Sequence, residues 1–199
     1  MIARRWALAA AALLAACQGD GGHAIVDRES GLRLELPQAW TRWDAAKLRS
    51  PAAVRANLVA YAADPDKRAL VSVRRFRFRM AGSGELTTGD AVDRLKPEDR
   101  PGFLTMIERQ VEKDLAAGAG SWETARLRHG AARSRGWFVE VEGRSREGGE
   151  APRWVKSVLL LPRKTDDLLE IRLTAPLSER ARYQTDLERI EAGIRKWIE

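Results

Sequence analysis

The chain has 199 residues, 44% of them hydrophobic, with 35 basic and 28 acidic side chains and a formal net charge of +7. That length suits one domain with a sizeable core, and a lone cysteine excludes an internal disulfide framework. The positive balance suits anionic head groups or polysaccharide phosphates, and it equally suits the ordinary surface of an arginine-rich chain.

The first stretch carries Arg4 and Arg5, then an apolar run from Trp6 to Ala16, then Leu14-Ala15-Ala16-Cys17 at its end. A basic start, a short apolar middle and small residues at a cut site form a secretory signal. The run is too short to span a bilayer, which takes ~20 apolar residues. Cysteine directly after Leu-Ala-Ala resembles the lipobox of bacterial lipoproteins. That resemblance implies removal of residues 1–16, a diacylglyceryl group on the Cys17 thiol, and residues 17–23 as lipidated cysteine and flexible tether. One acyl chain holds a protein on a membrane only marginally, whereas two or three hold it firmly. The resemblance also implies a periplasm-facing domain, with Gln18 after the cysteine favouring the outer membrane over the inner. An ordinary signal peptide that ends beside a cysteine is the other reading.

Order is expected from His23 to Val26, with a turn at 27–31 in which Gly31 takes a positive φ. Leu32, Leu34 and Leu36 alternate with Arg33 and Glu35, a half-buried strand stopped by Pro37. Trp40 is expected at a corner of the core. Residues 44–55 read as short helix or irregular chain, and Leu58 to Tyr61 as a strand. Asp64-Pro65-Asp66-Lys67 is a turn rather than a cation site, since calcium takes 6–8 oxygen ligands. In the return strand 69–80, Val71 and Val73 share one phase and Phe76, Phe78 and Met80 the other, which predicts a β-bulge near Arg74-Arg75. Arg75, Arg77 and Arg79 then form a basic row, either a solvated strand face or contacts to anionic lipid or polysaccharide.

After a break at 82–84, Thr88 is placed to N-cap a short helix over 89–95. Phe103, Ile107, Val111 and Leu115, with Leu104 and Met106 alongside, predict an amphipathic helix with Glu108, Arg109, Glu112 and Lys113 on its wet side and a stop at Gly118 and Gly120. Strands follow at 122–128, 136–141 and 153–161, with 129–132 as a link and 144–150 as a turn. Leu159-Leu160-Leu161 suggests burial from both sides. Leu169, Ile171 and Leu173 complete an antiparallel meander. Ser178 is expected to cap a final helix carrying Tyr183, Leu187, Ile190, Ile194 and Trp197 on one face.

Residues 24–199 therefore read as a single α+β domain, an antiparallel β-sheet with helices packed on its faces. The opening Gly31-Leu32-Arg33-Leu34-Glu35-Leu36-Pro37-x-x-Trp40 resembles the first strand of the PsbP-like and DcrB-like families, whose layout also matches the later meander and last helix. The resemblance implies a PsbP-like layered sandwich, in families of lipoproteins, assembly factors and chaperone-like binders that are mostly not enzymes.

The two histidines, His23 and His129, have no ligand-spaced companions, so neither a metal nor a cofactor is expected. Gly-x-Ser-x-Gly and Walker patterns are absent from the sequence. A carboxylate pair such as Glu140 with Glu170 is the one catalytic arrangement that strand pairing leaves open. The sequence thus points to a lipid-anchored, non-enzymatic envelope module that binds a protein partner or supports assembly of a complex, not a nucleic-acid binder. Its alternatives are a binder of anionic envelope lipid or polysaccharide through the arginine row, and a hydrolase with an unrecognised site.

Overall fold

Leu159, Leu160 and Leu161 lie at the centre of the molecule, with Leu160 facing one hydrophobic core and its two neighbours facing another. A computed structural model describes residues 23–44, 57–77, 88–117, 121–146 and 151–199. The expectations for residues 1–22 (Cys17 among them), 45–55, Phe78 to Met80 (Arg79 among them), 82–84, Gly118 and Gly120 lie outside the described residues.

The leucine run belongs to β8 (Arg153–Pro162), the third strand of a meander formed with β6 (Ser121–Ala132), β7 (Gly136–Arg146) and β9 (Asp167–Pro176). The first half of the chain supplies β1 (Ala24–Asp27), β2 (Leu32–Glu35), β3 (Thr41–Asp44), β4 (Leu58–Ala63) and β5 (Leu70–Arg77). β5 pairs with β9, so one antiparallel sheet runs in the order β3-β4-β5-β9-β8-β7-β6, and β1 and β2 form a separate hairpin. Three helices complete the fold: α1 (Thr88–Asp93), α2 (Arg100–Ala117) and α3 (Arg180–Ile198).

The β1–β2 hairpin and α3 cover one face of the large sheet, while α1 and α2 cover the other. Period-two side-chain alternation divides each central strand between the two cores. In β8, Trp154, Val158 and Leu160 join the α3 core, and Val155, Leu159 and Leu161 join the α2 core. The α3 stripe forms as its spacing predicts: Tyr183, Leu187, Ile190, Ile194 and Trp197 are all buried. Each of its buried aliphatic side chains contributes about 1.5–3 kcal/mol. Trp40 is buried in the same core, and its indole N–H donates to Asp186 on α3 at 2.9 Å. The Asp64 turn also forms, with the carboxylate accepting from the amides of Asp66, Arg68 and Ala69.

Six local expectations are corrected. The bulge does not sit at Arg74-Arg75, because β5 runs in unbroken register against β9; the register shift falls on β4, between Leu58 and Ala60. The phase change in β5 is a change of core: Val71 and Val73 face α3, and Phe76 faces α2. Residues 129–132 are the end of β6, and the link is Arg133 to Arg135, with Arg133 at φ 37°. The Thr88 hydroxyl reaches the carbonyls of Pro162 and Asp167 and not its own helix. Ser178 sits inside a 3-10 turn (Leu177–Glu179), and α3 starts after Glu179 without a side-chain cap. Glu108 is buried, since β6 brings His129 Nδ1 to 2.8 Å from its carboxylate, while Met106 is 57% exposed.

Candidate functional site

Helix α2 covers its face of the sheet incompletely. Leu104, Val111 and Leu115 seat it over β6 and β7, but beside Met106 and Ile107 a cavity of about 700 Å³ opens towards solvent. Its floor is Phe76 of β5, Leu168 of β9, and Leu159 and Leu161 of β8. The volume falls in the range of about 300–1,000 Å³ usual for small-molecule sites, which are mostly apolar with few polar groups.

Those polar groups cluster at one end. Arg74 lies opposite Glu170 in the β5–β9 register, and Ser157 lies opposite Arg172 in the β8–β9 register, so all four side chains share the α2 face. The Glu170 carboxylate is buried and accepts from Ser157 Oγ at 3.0 Å and from Arg172 Nη2 at 2.5 Å. Arg74 Nη1 stands 3.8 Å from the other carboxylate oxygen. The Nε–H of Arg74 is buried with no hydrogen-bond partner among the described residues. A second cavity of about 510 Å³ adjoins the first and shares Arg74, Arg172 and Asp114 with it. Lys67, Arg153, Trp122 and Thr174 help to line this second space.

The arginines singled out from the sequence lie elsewhere. Arg75 is on the α3 face, ion-paired to Asp27 and Glu29 of the β1–β2 hairpin and 3.5 Å from Asp167. Burial lowers its pKa, but the two hairpin carboxylates more than reverse this and hold it above the ordinary value. Its guanidinium is therefore a hairpin clamp and not one member of a solvated basic row. Arg77 closes β5 opposite Asp167 by backbone register.

Glu140 and Glu170 do not form a dyad, because they project from opposite faces of the sheet. Glu140 pairs with Arg128 at 3.1 Å and Lys156 at 3.4 Å on the α3 side. Lys156 in turn reaches Glu191 of α3 at 3.2 Å. Among the described residues, no group of three or more His, Cys, Asp or Glu is placed to hold a metal. The cavity cluster went unread because Arg74, Glu170 and Arg172 look like solvent-facing alternates of strands. The usable signal was that they share a phase with Phe76 and Leu168, both apolar.

A further ion pair ties α1 to the sheet side. Asp93 accepts from Arg163 Nε at 2.5 Å and from the Trp137 indole at 3.0 Å. The Arg163 hydrogen bond, opposed by burial and assisted by Trp137, holds the Asp93 carboxyl below its ordinary value.

This arrangement is a PsbP-like fold. The chain is similar to the solution structure of cyanobacterial PsbP (CyanoP) from Synechocystis sp. PCC 6803, with a TM-score of 0.55 and 13% identity over 89% of this chain and 95% of that one. More distantly, it is similar to LpqN, involved in cell envelope biogenesis of Mycobacterium tuberculosis (TM-score 0.44, 14% identity, 87% and 83% covered). A similar distance separates it from the Saccharomyces cerevisiae Ran-binding protein Mog1p (0.45, 13%, 88% and 91%). No protein-family model and no curated protein matches the sequence. At these identities the likeness is one of fold, and CyanoP carries it.

Proposed function

We propose that the protein is a lipid-anchored module of the bacterial cell envelope that binds its target without transforming it, on the periplasmic side and in association with an envelope protein complex. The observation that carries this reading is Leu14-Ala15-Ala16-Cys17, separated by a short glycine-rich stretch from a domain whose first strand begins at Ala24. The half-open cavity beside α2 supports the binding role, because it offers a recognition surface of small-molecule size with an apolar floor and a charged edge. Among the described residues, no helix is long and apolar enough to cross a membrane, so the reading assigns attachment to the Cys17 lipid.

Membrane fractionation with intact-mass measurement tests the reading. The expected result is a chain beginning at Cys17 with the added mass of its acyl groups, and a Cys17→Ala protein released from membranes. An unprocessed cytosolic chain overturns the proposal. Crosslinking in whole cells, followed by identification of envelope proteins bound by wild type and lost on substitution at the cavity mouth, tests the binding role.

A further inference from the structure

We infer that the two adjoining cavities form one site for a single-chain anionic phospholipid, with its acyl chain between Phe76, Met106 and Leu168 and its phosphate among Arg74, Arg153 and Arg172. The inference rests on the envelope reading for the source of such a lipid, and on the cavities themselves for the chemistry.

The two spaces differ in character and meet at Arg74 and Arg172. In the first, Phe76, Leu159, Leu161 and Leu168 form an apolar floor, and the polar lining residues are Arg74, Gln110, Asp114, Glu170 and Arg172. A peptide laid on that floor would bring backbone N–H and C=O groups that find no partners, whereas a methylene chain brings none. In the second, the cations outnumber the acids. Lys67, Arg74, Arg153 and Arg172 face Asp114, while Glu170 lines the first cavity alone. Asp114 is exposed on α2 and accepts from Gln110 at 2.8 Å, so solvent screens its charge. Arg153 donates to the Arg68 carbonyl and to Thr174 Oγ1, and among the described residues no carboxylate pairs with it or with Lys67.

The boundary is also where hydrogen bonding is incomplete. Glu170 serves Arg172 closely and Arg74 only at 3.8 Å. The Arg74 Nε–H is buried and unpaired, as is that of Arg75 on the opposite face, so protein acceptors leave the Arg74 guanidinium unsaturated. A phosphate supplies several acceptor oxygens, and guanidinium groups bind phosphate through paired, charge-assisted hydrogen bonds. A neutral or zwitterionic head answers this charge less well. Among the described residues, Met106 stands exposed at the open side, where a chain would enter.

The test uses the full chain in membrane vesicles and a lysophosphatidylglycerol probe bearing a photoreactive diazirine at the end of its acyl chain. After illumination, peptide mass spectrometry is expected to find the label on peptides holding Phe76, Met106 or Leu168. Unlabelled lysophosphatidylglycerol should compete at least tenfold better than lysophosphatidylcholine. Each methylene removed from the competitor should weaken it roughly three- to fourfold. The double variant Lys67→Gln, Arg153→Gln should lower labelling at least fivefold while thermal unfolding stays unchanged. Met106→Trp, at an exposed position, should block entry. Label spread equally over α2 and α3 peptides, equal competition by the choline lipid, or labelling unaffected by the charge variant overturns the site. A correctly acylated, membrane-bound protein with an unlabelled cavity overturns the lipid site alone. A native chain that is unprocessed and unacylated at Cys17, yet whose cavity labels, overturns the envelope reading alone.

Discussion

Gly193 is where α3 comes closest to another backbone. A Cβ there would overlap the Arg33 carbonyl oxygen of β2, so the helix sits directly on the hairpin only because this residue has no side chain. Gly193→Ala is expected to cost about 1–3 kcal/mol through forced separation of α3 and β2, measured by urea unfolding. Gly31, at φ 74° in the turn between β1 and β2, answers the turn expectation directly. Asp93 gives a pH prediction. Its carboxyl is held below the ordinary value of 3.8 by Arg163, so the folded state binds fewer protons than the unfolded state just below that pH. The pair's stabilisation is complete above about pH 5 and is lost progressively as the pH falls through the lowered folded value. Asp93→Asn should therefore flatten the acid limb of a stability–pH curve and leave its shape above pH 5 unchanged. Arg75 teaches a different lesson. Its row of alternating arginines was legible, but the acids that neutralise it come from the β1–β2 hairpin, with β3 and β4 in between, and no local pattern announces them.

At the scale of elements, legibility follows how many faces are buried. β2 and α3 each bury a single stripe, so their period is plain, and their core residues read correctly from spacing. β5 carries apolar residues on both faces, Val71 and Val73 on one and Phe76 on the other, so period-two reasoning mistakes a change of core for a bulge. α2 misleads at two positions for a related reason. Glu108 lies where β6 reaches over the helix edge with His129, and Met106 lies where the sheet offers nothing above the cavity. Trp197→Ala is expected to destabilise by about 3–5 kcal/mol. It removes a buried aromatic together with the indole hydrogen bond to the Ser30 carbonyl that fastens the last turn of α3 to the β1–β2 turn. Met106→Ala should stay within about 0.5 kcal/mol. Thermal unfolding of the two variants side by side checks both values and the exposure assigned to Met106.

For the whole molecule, the α+β class and the meander were readable, because short turns separate apolar alternations along the second half. The strand order was not, since the β5–β9 pairing joins Val73 to Ile171 and no short-range signal marks so distant a neighbour. The cavity depends on that pairing, because Arg74 and Phe76 meet Glu170 and Leu168 only across it. The same pairing governs how the polypeptide is completed. Synthesised from its N-terminus, the chain makes β3, β4 and β5 early and β9 almost last, so β5, ending at Arg77, waits as an unzipped edge until β9 begins at Asp167. Such edges recruit strands from other molecules, and long-range pairing is slow to form. A version ending at Pro162 should accumulate as β-rich aggregates, whose growth, followed by light scattering, steepens with concentration, while the intact chain refolds to monomer at the same dilution.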